Sequence, residues 1–586
     1  MKMRKIVINK QLVPMKGHYF LWNAGTGPVV PYLSTYARQL GFSSVVVGLI
    51  YTILPICGMV AKPVFGAIAD RYHCQKKIFL AAQLFTAVAF IAVFYSPALP
   101  IERVVHFSCA DSEAVFNTYP GSQADECTIA DIQAKGSTER CRLDCEANST
   151  IWATVCEQWN APQYCSASNQ TTRLRFTAEV ASSLTELFNG TVVFRVENVS
   201  LPDSDWVRPL CPNRAISTSC SVDCDSYDLN DIIGRPGVDD GEVYGLYQFW
   251  VFLMLMILGW LGQAVVVSVG DAICFEMLGD KPNRYGYQRL YGSLGWGIFS
   301  FLAGIMIDAL SDGRAQKNYI SAFYMAAAFL VLDFGVSSRL QYTQKKLVTN
   351  IVRDVGRLLV DVRIVVYLIW CITVGLCTGL IWQFLFWLIE DLAKAQGCDS
   401  VSVVKTLQGV VQAIQCLGGE LPFFFLSGWI LKKLGHVHTM SLVLFVLGVR
   451  LILHSIIVNP WWILPVEFLN GLTFGLFFAC MASYASIVAP PGTEATMQGM
   501  VGAVFEGIGV SVGSFVAGLS YQVYKGLTFR YFGFGSLAMC VLHIFVQYLL
   551  KFKGNSSENV KAIYSAPQDT LEKVQEEDQQ ELTLVD

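Results

Sequence analysis

Twelve long apolar stretches, interrupted once by a polar, cysteine-rich insert, dominate the hydropathy pattern of this 586-residue chain. A hydrocarbon layer about 30 Å thick takes ~20 residues of helix to cross. Runs such as Phe249–Val269 and Val365–Leu388 stay apolar throughout, without the period-two alternation of a barrel strand. Lipid offers the backbone no hydrogen-bond partners, so such spans must satisfy themselves as helices. The pattern predicts an all-α integral membrane protein with spans at 18–39, 43–69, 78–96, 246–269, 288–309, 319–338, 364–388, 405–430, 438–458, 461–488, 499–523 and 531–550.

Charge decides the sidedness. Basic residues gather in alternate connections: Arg71, Lys76 and Lys77; Lys281 and Arg284; Arg339 to Arg363; Lys432 and Lys433. Short loops rich in Lys and Arg stay in the cytoplasm. Both termini are therefore expected inside and the insert, 97–245, outside. On this reading 1–96 holds the cytoplasmic N-terminus and three spans, and 246–338 holds three more. A cytoplasmic linker, 339–363, leads to the last six spans at 364–550. The tail 551–586 is rich in Glu and Gln without a periodic apolar face, and is expected to be disordered. No small-residue cleavage site follows a compact apolar run near the start, so no removable signal peptide is expected. The expected location is the plasma membrane.

The insert carries four glycosylation acceptors, Asn148, Asn169, Asn189 and Asn198, each followed two residues later by Ser or Thr. A fifth such triplet, at Asn555, falls on the inner side. The insert also holds nine cysteines: Cys109, Cys127, Cys141, Cys145, Cys156, Cys165, Cys211, Cys220 and Cys224. Cys398, between spans seven and eight, is the one other cysteine placed outside, making an even number. An oxidising exterior and a loop domain expected to have little apolar core favour disulfides. Zinc is the rival, but the insert has one histidine, His106, and no paired Cys-x-x-Cys spacing. Connectivity is not legible from spacing.

Composition narrows the class. Hydrophobic residues make up 53% and charged residues 15%, against roughly 25% charged in a soluble domain. A net charge of −4 with no basic face argues against nucleic acid as a partner. No phosphate-binding loop, nucleophile elbow or metal-spaced histidine pair appears, so neither an enzyme nor a cofactor or metal site is expected.

Ionisable residues inside the spans are the candidate chemistry, because a charge at mid-bilayer costs ~2.5–3.5 kcal/mol on insertion scales. Asp271 and Arg289 lie near the inner ends of spans four and five. They either snorkel to the headgroups or pair inside a cavity. Gly292, Gly295 and Gly297 beside Arg289 would let a helix or a ligand approach closely. Glu420 and Arg450, in mid-span, are expected to face a cavity as a pair. Glu420 is the first candidate for carrying a proton, with Glu467 and Glu506 as rivals whose alternative is a helix–helix hydrogen bond. Trp382 and Trp387 suit packing better than cavity lining.

Two loops in equivalent places look like an internal repeat. Gly66-Ala-Ile-Ala-Asp70-Arg71 joins spans two and three, and Gly428-Trp-Ile-Leu-Lys432-Lys433 joins spans eight and nine. Each puts a glycine, expected at a close helix contact, four residues before a charged pair. The first copy resembles the Gly-x-x-x-Asp-Arg signature of the major facilitator superfamily. That resemblance implies two six-helix, pseudo-symmetric bundles, with Gly66, Asp70, Arg71 and Gly428 as a conformational gate. The second copy departs from the signature by lacking the acid.

Gly25-Thr-Gly-Pro28-Val-Val-Pro31 and Arg289-Leu-Tyr-Gly292-Ser-Leu-Gly295-Trp296, with Asp271 eighteen residues earlier, resemble the lactose-permease-like branch. The resemblance implies that Asp271 and Arg289 grip a solute on which Trp296 stacks, with Glu420 and Arg450 completing the site. By spacing, Asn470 and Thr473 stand where that branch has its coupling histidine and acid, so its proton site is expected to be missing. Over all but the tail, the chain is most similar to the major facilitator superfamily domain-containing protein 6 family.

These features imply a secondary transporter of a small polar organic solute, with protons as a possible second cargo. The alternative is a receptor or adhesion protein that uses the helical body to present the insert to an extracellular protein ligand. The sidedness is checked on intact cells. Glycosidase treatment should sharpen and speed the band on a gel, whereas insert thiols labelled only from the cytosol would reverse the orientation.

Overall fold

The computed structural model describes residues 12–110, 113–118, 126–166, 170–188, 191–202, 204–212, 215–236, 238–278, 285–311, 316–341, 362–488 and 494–554. Most of the linker 339–363, most of the tail, Lys281, Arg284, Asn169, Asn189 and Asn555 lie outside the described residues, as do the basic residues before Leu12.

The helical body begins with α1 (Val13–Thr26) and α2 (Leu33–Gln39). Between them Pro28 and Pro31 remove backbone donors, and a short 3₁₀ turn at Val30–Tyr32 carries the chain across. Next come α3 (Ser44–Arg71) and α4 (Gln75–Phe94). After the insert follow α5 (Tyr247–Leu278), α6 (Tyr285–Ala309) and α7 (Ile320–Ser337). The second part holds α8 (Val362–Gln396), α9 (Val404–Ala413), α10 (Leu421–Ile456), α11 (Leu476–Val488), α12 (Glu494–Ala503), α13 (Ser511–Tyr524) and α14 (Leu527–Gly554).

Among the described residues, ten helical stretches are long and apolar enough to cross a membrane. They differ from the twelve expected in two places. The proline-broken first stretch leaves pieces too short to qualify. The stretches expected at 405–430 and 438–458 run together as Val404–Ile456, broken in direction where Gly435 turns to a φ of 74°. Only glycine adopts that backbone without strain.

The insert corrects the all-α expectation. Among the described residues between α4 and α5, the chain forms nine strands: β1 (Ile101–Glu102), β2 (Val104–Ala110), β3 (Glu113–Thr118), β4 (Thr138–Glu146), β5 (Arg173–Ala181), β6 (Glu186–Phe188), β7 (Thr191–Ser200), β8 (Ile216–Cys224) and β9 (Arg235–Pro236). Seven of them form one antiparallel sheet in the order β3-β2-β8-β4-β5-β7-β6. A further pairing of β3 with β7 closes it into a barrel. Closure hides the edges that an open sheet would expose. Burial alternates along β2 and β7, so Val105, Phe107, Phe116, Leu143, Phe176 and Phe194 fill one interior.

The insert therefore has its own apolar core, contrary to the expectation of a loop domain with little core. The period-two signal sits in strands of six to ten residues, and long helices drown it at the scale of the whole chain. Disulfides join Cys109 to Cys211, Cys141 to Cys224, Cys145 to Cys220 and Cys156 to Cys165. Two of these bonds link residues directly opposite across β4 and β8. Cys398 in the body is disulfide-bonded too.

Barrel packing should carry most of the insert's stability. Phe176→Ala removes a ring that meets both Phe107 and Trp159, and should cost about 3–5 kcal/mol. The expected readout is a lower unfolding midpoint for the insert in detergent-purified protein; an unchanged midpoint would refute the packing account.

Candidate functional site

On the insert side, the two parts of the body are held together by buried charge. This is the side where Leu99, at the start of the insert, donates its backbone N–H to the Leu40 carbonyl. Arg38 of α2 reaches Glu390 at 3.2 Å and Asp391 at 2.6 Å on α8, and stacks over Trp387. Lys405 of α9 pairs with Glu390 and donates to Thr35 Oγ1 at 3.1 Å. Lys317 pairs with Asp308 at 3.0 Å and donates to the Ser402 carbonyl at 3.1 Å. Burial lowers the Lys317 pKa from its ordinary value, and Asp308 beside it opposes the shift. Tyr521 and Trp387 complete the closure by donating to Asp391 and to the Ser34 carbonyl. Such charges are tolerated only because each is matched. None was singled out from the sequence, since their partners are up to 353 positions away.

Further from the insert, the structure pairs Asp271 with Arg289, whose Nη1 lies 3.0 Å from both carboxylate oxygens. Tyr19 of α1 donates its hydroxyl to the same carboxylate at 2.7 Å. The guanidinium side chain remains 41% exposed. The neighbouring glycines meet helices: Gly292 abuts Asn23, Gly295 the Phe20 carbonyl, and Gly297 Cys416 and Leu417. Trp296 donates its ring N–H to Gln412 at 3.0 Å. Ser293 lies 3.5 Å from Glu420. Through Trp296 and Ser293, α6 touches the Gln412–Glu420 segment.

The expected Glu420–Arg450 pair is replaced by another. Arg450 binds Glu467 at 2.5 Å and donates to Asn470 and Thr473, both at 2.8 Å. His454, one turn beyond Arg450, holds the other oxygen of Glu467 at 2.6 Å. Among the described residues its buried Nδ1 has no partner, which suits a ring whose Nε2–H donates. The positions of Asn470 and Thr473 hold no histidine or acid, but a different histidine–acid pair is present, built from His454 and Glu467. The i, i+4 spacing of Arg450 and His454 on one helix face was the available signal. Glu420 instead accepts from Asn470 at 3.2 Å and from Ser293.

Glu420 closes a π-helical segment, Ile414–Glu420, and two more follow at Gly471–Gly475 and Val504–Val510. A π turn offsets the helix register and places a side chain where a regular helix would not. Glu506 lies in the third segment and pairs with Lys62 of α3 at 3.0 Å. The first part of the body has a buried cluster of its own. His18 Nδ1 lies 3.0 Å from both oxygens of Asp333, and Gln83 donates to Asp333 at 2.7 Å. Sequence reasoning passed over both His18 and Asp333.

The remaining candidates are placed as follows. Among the described residues, no atom lies within 4 Å of where a Cβ would stand on Gly66 or Gly428, so neither glycine shows the expected close contact there. Arg71 is exposed beside Tyr72, and the Asp70 side chain lies outside the described residues. Asn148 is exposed and caps the helix Ser149–Gln158, while Asn198 donates to Glu179 at 3.1 Å. Trp382 packs edge-on against Phe474 and Phe505.

The sequence model of the MFS_1 like family, within the major facilitator superfamily, matches residues 12–532. The chain belongs to this family. It is a multi-pass membrane protein of a transporter superfamily, not an enzyme. Major facilitator superfamily domain-containing protein 6-like protein A of Xenopus laevis is 22% identical over 552 residues, covering 87% of this chain and 86% of that one. Among solved structures, the nucleoside transporter NupG superposes with a TM-score of 0.56 at 12% identity, covering 92% of this chain and 98% of that one. A mutant of the peptide transporter POT gives 0.52 at 11% identity, covering 92% and 94%. At these identities the likeness speaks for the fold.

Burial separates the two arginines. Arg450→Ala strands Glu467 in a site where that side chain is 0% exposed, and should cost about 3–5 kcal/mol. Arg289→Ala breaks a half-exposed pair and should cost less than about 1 kcal/mol. Melting the two purified variants beside the parent tests the ranking; equal shifts would contradict it.

Proposed function

We propose that this protein is a secondary transporter that moves a small polar organic solute by alternating access between two six-helix bundles. The reading takes the body as twelve crossings, with the first broken by prolines and the eighth and ninth joined through Gly435. The bundles are related by a pseudo-twofold axis along the membrane normal, which puts the Gly66 and Gly428 loops on the same, cytoplasmic side. Both termini then lie in the cytoplasm, with the glycosylated insert, including Asn169 and Asn189, outside at the plasma membrane.

One observation carries the proposal: paired charges shut the insert side, while Asp271 and Arg289 of the first half and Glu420 of the second remain only partly buried. In this conformation the solute exchanges with the cytoplasm. Arg289, oriented by Asp271 and Tyr19, offers a planar fork to hydroxyls or a carboxylate. Trp296 supplies a stacking face, and Asn470 and Glu420 supply polar contacts from the other half. The Gly66, Asp70, Arg71 and Gly428 loops close the cytoplasmic side in the opposite state, joined by the Lys62–Glu506 pair.

Glu420 is the proton carrier in this scheme. Its described hydrogen-bond partners, Asn470 and Ser293, are both neutral. Glu467, by contrast, is clamped by Arg450 and His454 and serves to hold Asn470 through the shared arginine. A carboxylate with neutral partners changes charge more readily than one clamped by a guanidinium.

The test is uptake into proteoliposomes of nucleosides, short peptides and sugars, with and without an inward proton gradient. Glu420→Gln should keep binding and expression yet lose the gradient dependence, since an amide carries no proton. Arg289→Lys keeps the charge, loses the fork, and should weaken solute binding about tenfold or more. Gradient-driven uptake that survives in Glu420→Gln removes Glu420 from the coupling role.

A second reading is a receptor that presents the insert on the transporter-like body. An open groove of about 640 Å³ on the barrel, lined by Arg142, Asp144, Arg175 and Asp223 among others, favours it. Burial raises the Asp144 pKa, but hydrogen bonds from Arg173 and Arg175 outweigh it and hold the carboxyl below its ordinary value. Under this reading Glu420→Gln and Arg289→Lys change nothing, whereas charge reversal in the groove abolishes partner binding.

A further inference from the structure

The cysteines of the chain can be accounted for one by one. Four disulfides use eight of the nine insert cysteines. Eight cysteines outside the insert are free thiols: Cys57, Cys74, Cys274, Cys371, Cys377, Cys416, Cys480 and Cys540. Cys398 is disulfide-bonded. Of the eighteen cysteines in the sequence, the one left to partner it within the chain is Cys127 of the insert.

We propose that Cys127 and Cys398 form a fifth disulfide, and that this bond straps the insert to the second half of the body beside its closed end. Bond formation follows the same chemistry as for the other four. Each thiol gives up a proton, the two sulfurs join, and the two electrons reduce a disulfide donor of the oxidising secretory compartment to a dithiol.

Position gives the bond its consequence. Cys398 opens the short helix Cys398–Ser402, directly after Gly397, whose φ of 102° turns the chain sharply out of α8. Glu390 and Asp391 lie just before that turn, and Lys405 lies just after the helix. The carbonyl of Ser402 accepts from Lys317, across to the first half. The loop that bears Cys398 is thus held on both flanks by the charge network that shuts the insert side.

The insert itself is rooted in the first half, leaving α4 and returning into α5. A bond from it to Cys398 therefore crosses between the halves. Whatever rotation parts Arg38 from Glu390 and Asp391 must also move the insert or be limited by its slack. The covalent claim stands apart from the transport reading, and its test needs no solute.

The first experiment introduces a protease site into the linker 339–363 of the full-length protein. After cleavage, the two halves should run as one band without reductant and as two bands with it. Cys398→Ser and Cys127→Ser should each give two bands without reductant. Two bands from the unreduced parent, or one band persisting in either variant, overturns the proposal. If the variants fail to accumulate, mass spectrometry of an unreduced digest of the parent decides, and Cys398 found as a thiol or bonded elsewhere counts against it. For the mechanical role, amide exchange across 397–405 should speed up at least about tenfold in Cys398→Ser. Unchanged exchange there shows that the bond does not hold the closed end, and overturns the strap.

Discussion

A charge buried between helices must bring its partner with it. The idealised penalty for moving one ion from water into a low-dielectric interior is of order 20 kcal/mol, and several kcal/mol remain after relaxation. That constraint organises the body of this protein. Arg38 meets Glu390 and Asp391 across the boundary between the two halves, while Lys405 joins Glu390 within the second half and Lys317 joins Asp308 within the first. Arg450, Glu467 and His454 satisfy one another within the second half, and His18 and Asp333 do so within the first. Where the halves meet, separating them would expose these groups to water together.

Both halves bring helices together through glycines, as where Gly295 admits α1 and Gly262 admits α4 in the first and Gly375 meets Gly509 in the second. Among the described residues, the second half adds π turns at Ile414–Glu420, Gly471–Gly475 and Val504–Val510. Glycine contacts favour rigid neighbours, whereas a π turn leaves a local irregularity that can be moved along a helix. Glu420, Asn470 and Glu506 all sit in or beside those irregularities, which set where their side chains project. Family membership accounts for the common fold, but this asymmetry belongs to the details of this chain.

The insert obeys different physics. Outside the membrane, water competes for every hydrogen bond, and a domain of this size needs a core. Here the core is a closed barrel whose strands β4 and β8 are tied twice by disulfides. Its charged residues lie on the outer surface as exposed pairs such as Arg140–Glu179 and Arg195–Glu113, which contribute little to stability. Packing and cross-links hold the insert together, whereas matched charge holds the body closed.

The sequence by itself determined the membrane class, the places of nearly all the spans, and the presence of a separate cysteine-rich insert. All three follow from local composition, because lipid makes severe demands on every residue of a span. It also pointed to Asp271 and Arg289 as charges that must either snorkel or pair, with the pairing implied by the resemblance to the lactose-permease-like branch. Tertiary structure alone decided the other partnerships. Glu467 went to Arg450 and His454 rather than leaving Arg450 to Glu420, because helix rotation, set by packing along the whole length, chooses which face meets which. Charges joined across more than three hundred positions, and the barrel closed by pairing β3 with β7, leave no local trace at all. A hydrophobic pattern records what each segment must avoid; only the assembled fold selects what it touches.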